Sequence, residues 1–132
     1  MKRELTITSG PLDEAALALG RERSTKAGAV IVFLGVVRDE ENSVPISILE
    51  YEAFEGMARH QFTKIFDQVE TRWPIESIRL IHRIGAVGTG EASLWVEVMA
   101  PHRGEAFAAC QFTIDEMKRV VPIWKKPVPV AS

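Results

Sequence analysis

Apolar positions along the chain follow two rhythms. "LTIT" (Leu5–Thr8) alternates as a short strand does. "SGPLDEAALALGRE" then predicts a helix: Pro11 suits a first turn, Asp13 and Glu14 put negative charge near its positive end, and Gly20 ends it. "GAVIVFLGVV" (Gly28–Val37) is β-branched and unbroken, which predicts a central strand buried on both faces. "RDEENSVP" (Arg38–Pro45) reads as a polar loop, and "ISILEYEAF" (Ile46–Phe54) resumes a strand. Its alternation puts Ile46, Ile48, Glu50, Glu52 and Phe54 on one face and Leu49, Tyr51 and Ala53 on the other.

From about Gly56 to Trp73 the period changes to that of a helix, with Phe62, Ile65, Phe66, Val69 and Trp73 on one face. "ESIRLIHRIG" (Glu76–Gly85) and "ASLWVEVMA" (Ala92–Ala100) are strands, and the glycine-rich "AVGTGE" (Ala86–Glu91) between them reads as a hairpin or bulge. A last helix runs from about Arg103 to Val121, with Phe107, Cys110, Ile114, Met117 and Val121 as its apolar stripe; Pro122 stops it. Adjacent strand pairs between helices predict an α+β fold with a mixed, largely antiparallel sheet, in one domain spanning residues 1–132.

Composition narrows the function. A net charge of -2 and a pI near 5.9 argue against a general nucleic-acid binder or a membrane-surface protein, so any anion site has to be local. A single cysteine, Cys110, excludes an internal disulfide and points to a reducing, cytoplasmic compartment. The longest apolar run, Ala27–Val37, is too short to span a bilayer, and no secretion signal is expected at "MKRELTITSG".

Against that acidic background "VVPIWKKP" (Val120–Pro127) stands out. Trp124 precedes Lys125 and Lys126, prolines stand on both sides, and Lys118 lies one position past Met117. The plain account is a solvated basic helix end. The alternative is a cluster of partly desolvated ammonium groups that depress one another's pKa and so serve acid–base chemistry. His102 and Arg103 stand where a strand hands over to a helix, a place receptive to phosphate; Arg38 follows the apolar strand directly and pairs either with Asp39, Glu40 or Glu41 or with an anion. His60, His82 and His102 are scattered, so no metal is expected; Cys110 reads as core, and His82 and Arg83 as structural. Arg103 and Lys118 are fifteen residues apart on one helix, roughly 22 Å. Either they serve different sites, or a two-fold dimer brings His102 and Arg103 of one copy to Lys118 and Lys125 of the other.

Five blocks in order, "FLGVVRDEEN", "LEYEAFEGMA", "HRIGAVGTGE", "PHRGEAFAAC" and "MKRVVPIWKK", resemble the large, catalytic subunit of molybdopterin synthase. The resemblance covers about Gly28 to Lys126. It implies an α/β hammerhead fold and a homodimer within a heterotetramer, each copy receiving a small ubiquitin-like sulfur-carrier subunit. The carrier's C-terminal Gly-Gly thiocarboxylate supplies two sulfurs to cyclic pyranopterin monophosphate, giving the molybdopterin dithiolene with no cofactor or metal. It also implies that Lys118 and Lys125 are catalytic, and that Arg38, His102, Arg103 and, as a weaker choice, Lys126 bind substrate. Members commonly carry an acidic residue after the lysine pair, where this chain has Pro127, and many continue beyond "VPVAS" with a segment that helps close the pocket. Two rival readings stay open: a non-catalytic dimeric scaffold for the carrier, and a small phosphate- or nucleotide-binding module built on Arg38, His102 and Arg103.

Overall fold

A computed structural model describes residues 1–130. The elements are β1 (Lys2–Thr8), α1 (Glu14–Leu19), β2 (Ala29–Val36), β3 (Glu40–Glu41), β4 (Val44–Ala53), α2 (Glu55–Arg72), β5 (Ser77–Arg83), β6 (Gly85–Gly88), β7 (Ala92–Ala100), α3 (Arg103–Val120) and β8 (Ile123–Pro129). One sheet has the order β1-β5-β7-β2, with β1 parallel to β5 and the other pairs antiparallel. In the second assembly β4 pairs antiparallel with β3, β6 and β8. The fold is thus the expected mixed α+β type. Among the described residues no helix is long and apolar enough to cross a membrane.

The main core lies between the first sheet and the two long helices. Phe62, Ile65 and Val69 of α2 meet Ile78, Leu80, Val96 and Val98, all with almost no exposure. α3 comes close because its buried stripe is small: Ala106, Ala109 and Thr113 are fully covered, and the Thr113 hydroxyl donates to the Ala109 carbonyl at 2.7 Å. That rotation leaves Phe107, expected in the stripe, mostly exposed, because near-native packing density admits an alanine and not a phenyl ring there. Trp73 caps α2 half-buried, edge-on to Phe112.

Several sequence expectations change. Asp13, not Pro11, opens α1: its carboxylate accepts from the Ala16 amide. β2 is an edge strand rather than a central one, and Val30, Val32 and Val36 are substantially exposed. The polar loop at Arg38–Pro45 contains β3, turned back by Asn42 and Ser43, both at positive φ. The glycine-rich connection is not a simple β5–β7 hairpin; Gly85, at φ 85°, turns the chain so that β6 joins β4. A register shift between Ile46 and Ile48 breaks the alternation of β4, which is how Ile46 and Leu49 both reach a second small core with Val37 and Val87. The lysine-bearing segment is itself a strand, β8, laddered to β4.

On the first sheet's other face, Glu97 is buried and paired with Arg21 (2.8 Å) and Arg79 (3.0 Å). Arg79 also donates to the Leu17 carbonyl, so this cluster ties α1 to the sheet. Removing one member of a buried ion pair strands the other charge. Glu97→Ala is expected to lose about 3–5 kcal/mol of unfolding free energy in urea titration. Glu22→Ala, which breaks a solvent-screened pair with Lys2 at the surface, should leave the urea midpoint close to the parent's.

Candidate functional site

The two sheets and the end of α3 enclose a cavity of about 480 Å³. Its walls come from many elements: Phe33 and Gly35 of β2, Tyr51 of β4, His82 of β5, Ser93 of β7, Met117 and Lys118 of α3, and Trp124 and Lys125 of β8, with Arg38 and Glu41 at one side. Three cations, Arg38, Lys118 and Lys125, and one carboxylate, Glu41, face it, a local excess of two positive charges in a chain whose net charge is -2.

Each cation is placed by a backbone constraint. Lys118 follows buried Met117 in the last turn of α3, so the helix anchors its stem while its head stays exposed. Arg119 beside it is neutralised by Glu116 at 2.7 Å, whereas Lys118 has no ion pair among the described residues. Lys125 lies opposite Tyr51 in the β4–β8 ladder, and its Nζ is 2.7 Å from Glu41. Arg38 follows buried Val37 and lies 3.8 Å from the same carboxylate. The hydrogen bond from Lys125 holds the Glu41 carboxyl below the usual carboxylate range, with the charges of Lys125 and Arg38 adding to it against partial burial.

The deep wall is polar but uncharged. The Tyr51 hydroxyl donates to Ser93 Oγ at 3.4 Å, and the His82 ring stands edge-on to Tyr51 with centroids 5.3 Å apart. His82, expected to be only structural, is 4% exposed yet forms cavity wall. Its Nδ1 is 2.8 Å from the Arg83 carbonyl, so the neutral ring carries its proton there. Burial pushes its pKa below 6.5, opposed in part by that bond. Alternation along β5 sends Arg83 the other way, to Glu91 and the Ala86 carbonyl, and it is structural as expected. Glu41, Tyr51, His82 and Ser93 are site residues that the sequence reading left out.

The remaining sequence candidates lie elsewhere. His102 and Arg103 begin α3, exposed, at the end remote from Lys118; His102 Nδ1 is 3.7 Å from Glu105. Lys126 lies opposite Glu50, and strand alternation sends it away from Lys125's side of β8. Within one chain, then, the fold gathers Arg38, Lys118 and Lys125 but not His102, Arg103 or Lys126. A hollow of similar size, about 530 Å³, adjoins α1, but Arg21 there is paired with Glu97 and Glu22 with Lys2. Cys110 is free and buried, its thiol pushed up to about 11, so it is no nucleophile at neutral pH. Among the described residues no three His, Cys, Asp or Glu side chains converge as metal ligands would.

Comparison with known proteins places the chain in a family. A family model described as MoaE protein matches residues 7–120. The molybdopterin synthase catalytic subunit of a Nostoc species is 41% identical over 122 residues, covering 91% of this chain and 73% of that protein. The crystal structure of molybdopterin synthase from Staphylococcus aureus superposes with a TM-score of 0.84 at 32% identity, covering 98% of this chain and 92% of the other. A protein–protein complex of subunits 1 and 2 of molybdopterin-converting factor from Helicobacter pylori matches with a TM-score of 0.75 at 26% identity, covering 97% and 90%.

The buried neutral state of His82 has a consequence for stability. Below about pH 6.5 the unfolded chain takes up a proton that the folded chain refuses, so stability falls as pH drops from there. His82→Asn keeps a donor for the Arg83 carbonyl and removes this titration. The loss of unfolding free energy between about pH 7 and pH 5 should be smaller in the variant than in the parent.

Proposed function

Because the chain belongs to the MoaE protein family, we infer that it works as the catalytic subunit of molybdopterin synthase. It takes sulfur from the thiocarboxylated C-terminus of a small carrier subunit and transfers it to cyclic pyranopterin monophosphate, forming the dithiolene of molybdopterin. The observation that carries the reading is the convergence of Lys118 and Lys125 with Arg38 on one cavity. Both incoming groups are anionic, and the cavity is locally cationic although the protein is acidic. With Cys110 buried and its thiol pushed up to about 11, the chain's own cysteine is ill-suited to carry the sulfur, which fits a donor that arrives on a partner.

In this reading Lys118 meets the thiocarboxylate, and Lys125 moves protons or offsets charge as sulfur attacks. Arg38 holds phosphate from the same chain, and His102 and Arg103 hold it from a second copy. Lys126, the weaker substrate-binding choice, faces away from the cavity and is left out of this reading. The 132 residues act as one domain, in a reducing, cytoplasmic setting suited to a free thiol.

The form of β2 supports the shared site. Its outer edge is unpaired among the described residues and carries exposed valines, a surface that favours pairing with another chain. It starts beside Ala100–Pro101, where the Gly28 amide donates to the Ala100 carbonyl, next to His102, and it ends at the cavity wall. Its eight residues span about 26 Å. Two β2 edges paired antiparallel about a two-fold axis would therefore set the His102–Arg103 corner of one copy near the cavity of the other.

The direct assay mixes the protein with thiocarboxylated carrier and cyclic pyranopterin monophosphate and measures dithiolene. Lys118→Ala and Lys125→Ala should each cut the rate by about 10²-fold or more while carrier binding survives. A parent protein that bound carrier and made no product would be the scaffold instead. Equal mixing of Lys118→Ala and Arg103→Ala subunits tests sharing. Half the dimers are then mixed, one of their two sites is intact, and activity should return to about a quarter of the parent's. No recovery would assign Lys118 and Arg103 to one chain's site or to none.

A further inference from the structure

Glu41 is the one carboxylate on the cavity wall. It sits between two of the three cations, 2.7 Å from Lys125 Nζ and 3.8 Å from the Arg38 guanidinium. Its side chain is only 13% exposed, whereas those of its partners are 49% and 74% exposed. The acid is therefore the fixed member of the group and the cations are the free ones. Its position is set by backbone geometry: the two-residue strand β3 is folded back on Val44 and Pro45 by the Asn42–Ser43 turn.

We propose that Glu41 is an internal counter-ion, a positioning residue that occupies Lys125 and Arg38 in the resting protein and gives them up when an anionic oxygen group of a ligand enters. The carboxylate already takes the Lys125 ammonium at bonding distance and offsets the charge of Arg38 nearby, both of which a phosphate or a C-terminal carboxylate would use. An incoming anion must displace it and also work against its charge. Glu41 thus lowers affinity for anions in general and holds Lys125 oriented toward the cavity while it is empty. The inference rests on the function proposed above only for what the anion is: a substrate phosphate or a carrier terminus.

The test uses the full chain and two probes, inorganic phosphate and a short peptide ending in Gly-Gly, each titrated while the Trp124 indole resonance at the cavity is followed by NMR. Glu41→Gln keeps the shape and removes the charge. It should tighten binding of at least one probe roughly tenfold, and which probe responds tells phosphate from carrier terminus. Glu40→Gln removes the same charge from the neighbouring, exposed position outside the cavity and should leave both affinities near the parent's. In a Lys125→Ala background most of the Glu41→Gln gain should vanish. With the complete reaction, Glu41→Gln should lower KM for the anionic substrate without raising kcat. The idea is overturned if Glu41→Gln tightens neither probe, if Glu40→Gln matches it, or if the gain survives without Lys125. A melting curve confirms that each variant is folded. Parent protein that forms no dithiolene would remove the proposed function while leaving the binding result for Glu41 intact.

Discussion

The ladder between β4 and β8 is the constraint on which the site depends. Without it Lys125 would ride on a segment following α3, free to point anywhere. With it, Lys125 is fixed opposite Tyr51, Trp124 opposite Glu52, and Pro127 opposite Leu49, whose side chain lies in the second core. The ladder also draws β8 back across the end of α3, so that a lysine on the strand and a lysine on the helix face one cavity. The aromatic pair Phe54–Trp124, 5.1 Å apart, packs where this ladder meets the start of α2. The geometry of the cavity is thus secured by main-chain hydrogen bonds, which hold an element far more stiffly than a pair of half-exposed charges could.

That constraint was the least legible part of the sequence. "IWKKPVP" has two lysines and two prolines in seven residues, a composition that argues against a central strand. Lysine and proline are, however, the residues that mark edge strands, and β8 is one: it pairs with β4 alone. The same logic explains β2. An unbroken apolar run signals burial on both faces, but sequence periodicity cannot say whether the covering surface belongs to the same chain. The two-residue β3 and four-residue β6 are too short for any period to emerge, and only their turn residues, Asn42, Ser43 and Gly85, carried a signal. α2, β5 and β7 were legible because each packs by repetition against one core, and repetition is what a linear reading detects.

Within the site the division is similar. Lys118, Lys125 and Arg38 were readable because basic residues beside an aromatic, a proline and the end of an apolar strand are conspicuous in an acidic chain. Glu41 was conspicuous only as one of three acids after Arg38, and nothing local reveals that it also reaches Lys125, 84 positions along in the numbering. His82 and Ser93 are small polar breaks in strands that otherwise look like core. Their placement in the cavity wall follows from the β5–β7 register, which sets His82 opposite Leu94, and register is a tertiary property.

The chemistry the cavity can perform follows from which charges are compensated. On the far face of the first sheet, the buried Glu97 carboxylate is held by both Arg21 and Arg79, and a group so paired has little left to offer a ligand. At the cavity the balance is deliberately incomplete: three cations share one acid, and Lys118 has no ion pair at all among the described residues. Uncompensated positive charge costs stability, and a fold tolerates it only where the heads can remain hydrated, as the exposure of Lys118, Lys125 and Arg38 allows. An arriving anion therefore meets groups that need not first be pulled out of a tight structural pair, apart from the pairing of Lys125 with Glu41. A sulfur donor carried on another polypeptide fits this arrangement, because the protein supplies no accessible thiol but does supply fixed, hydrated cations at the place where a charged sulfur-bearing end must be neutralised before it can react.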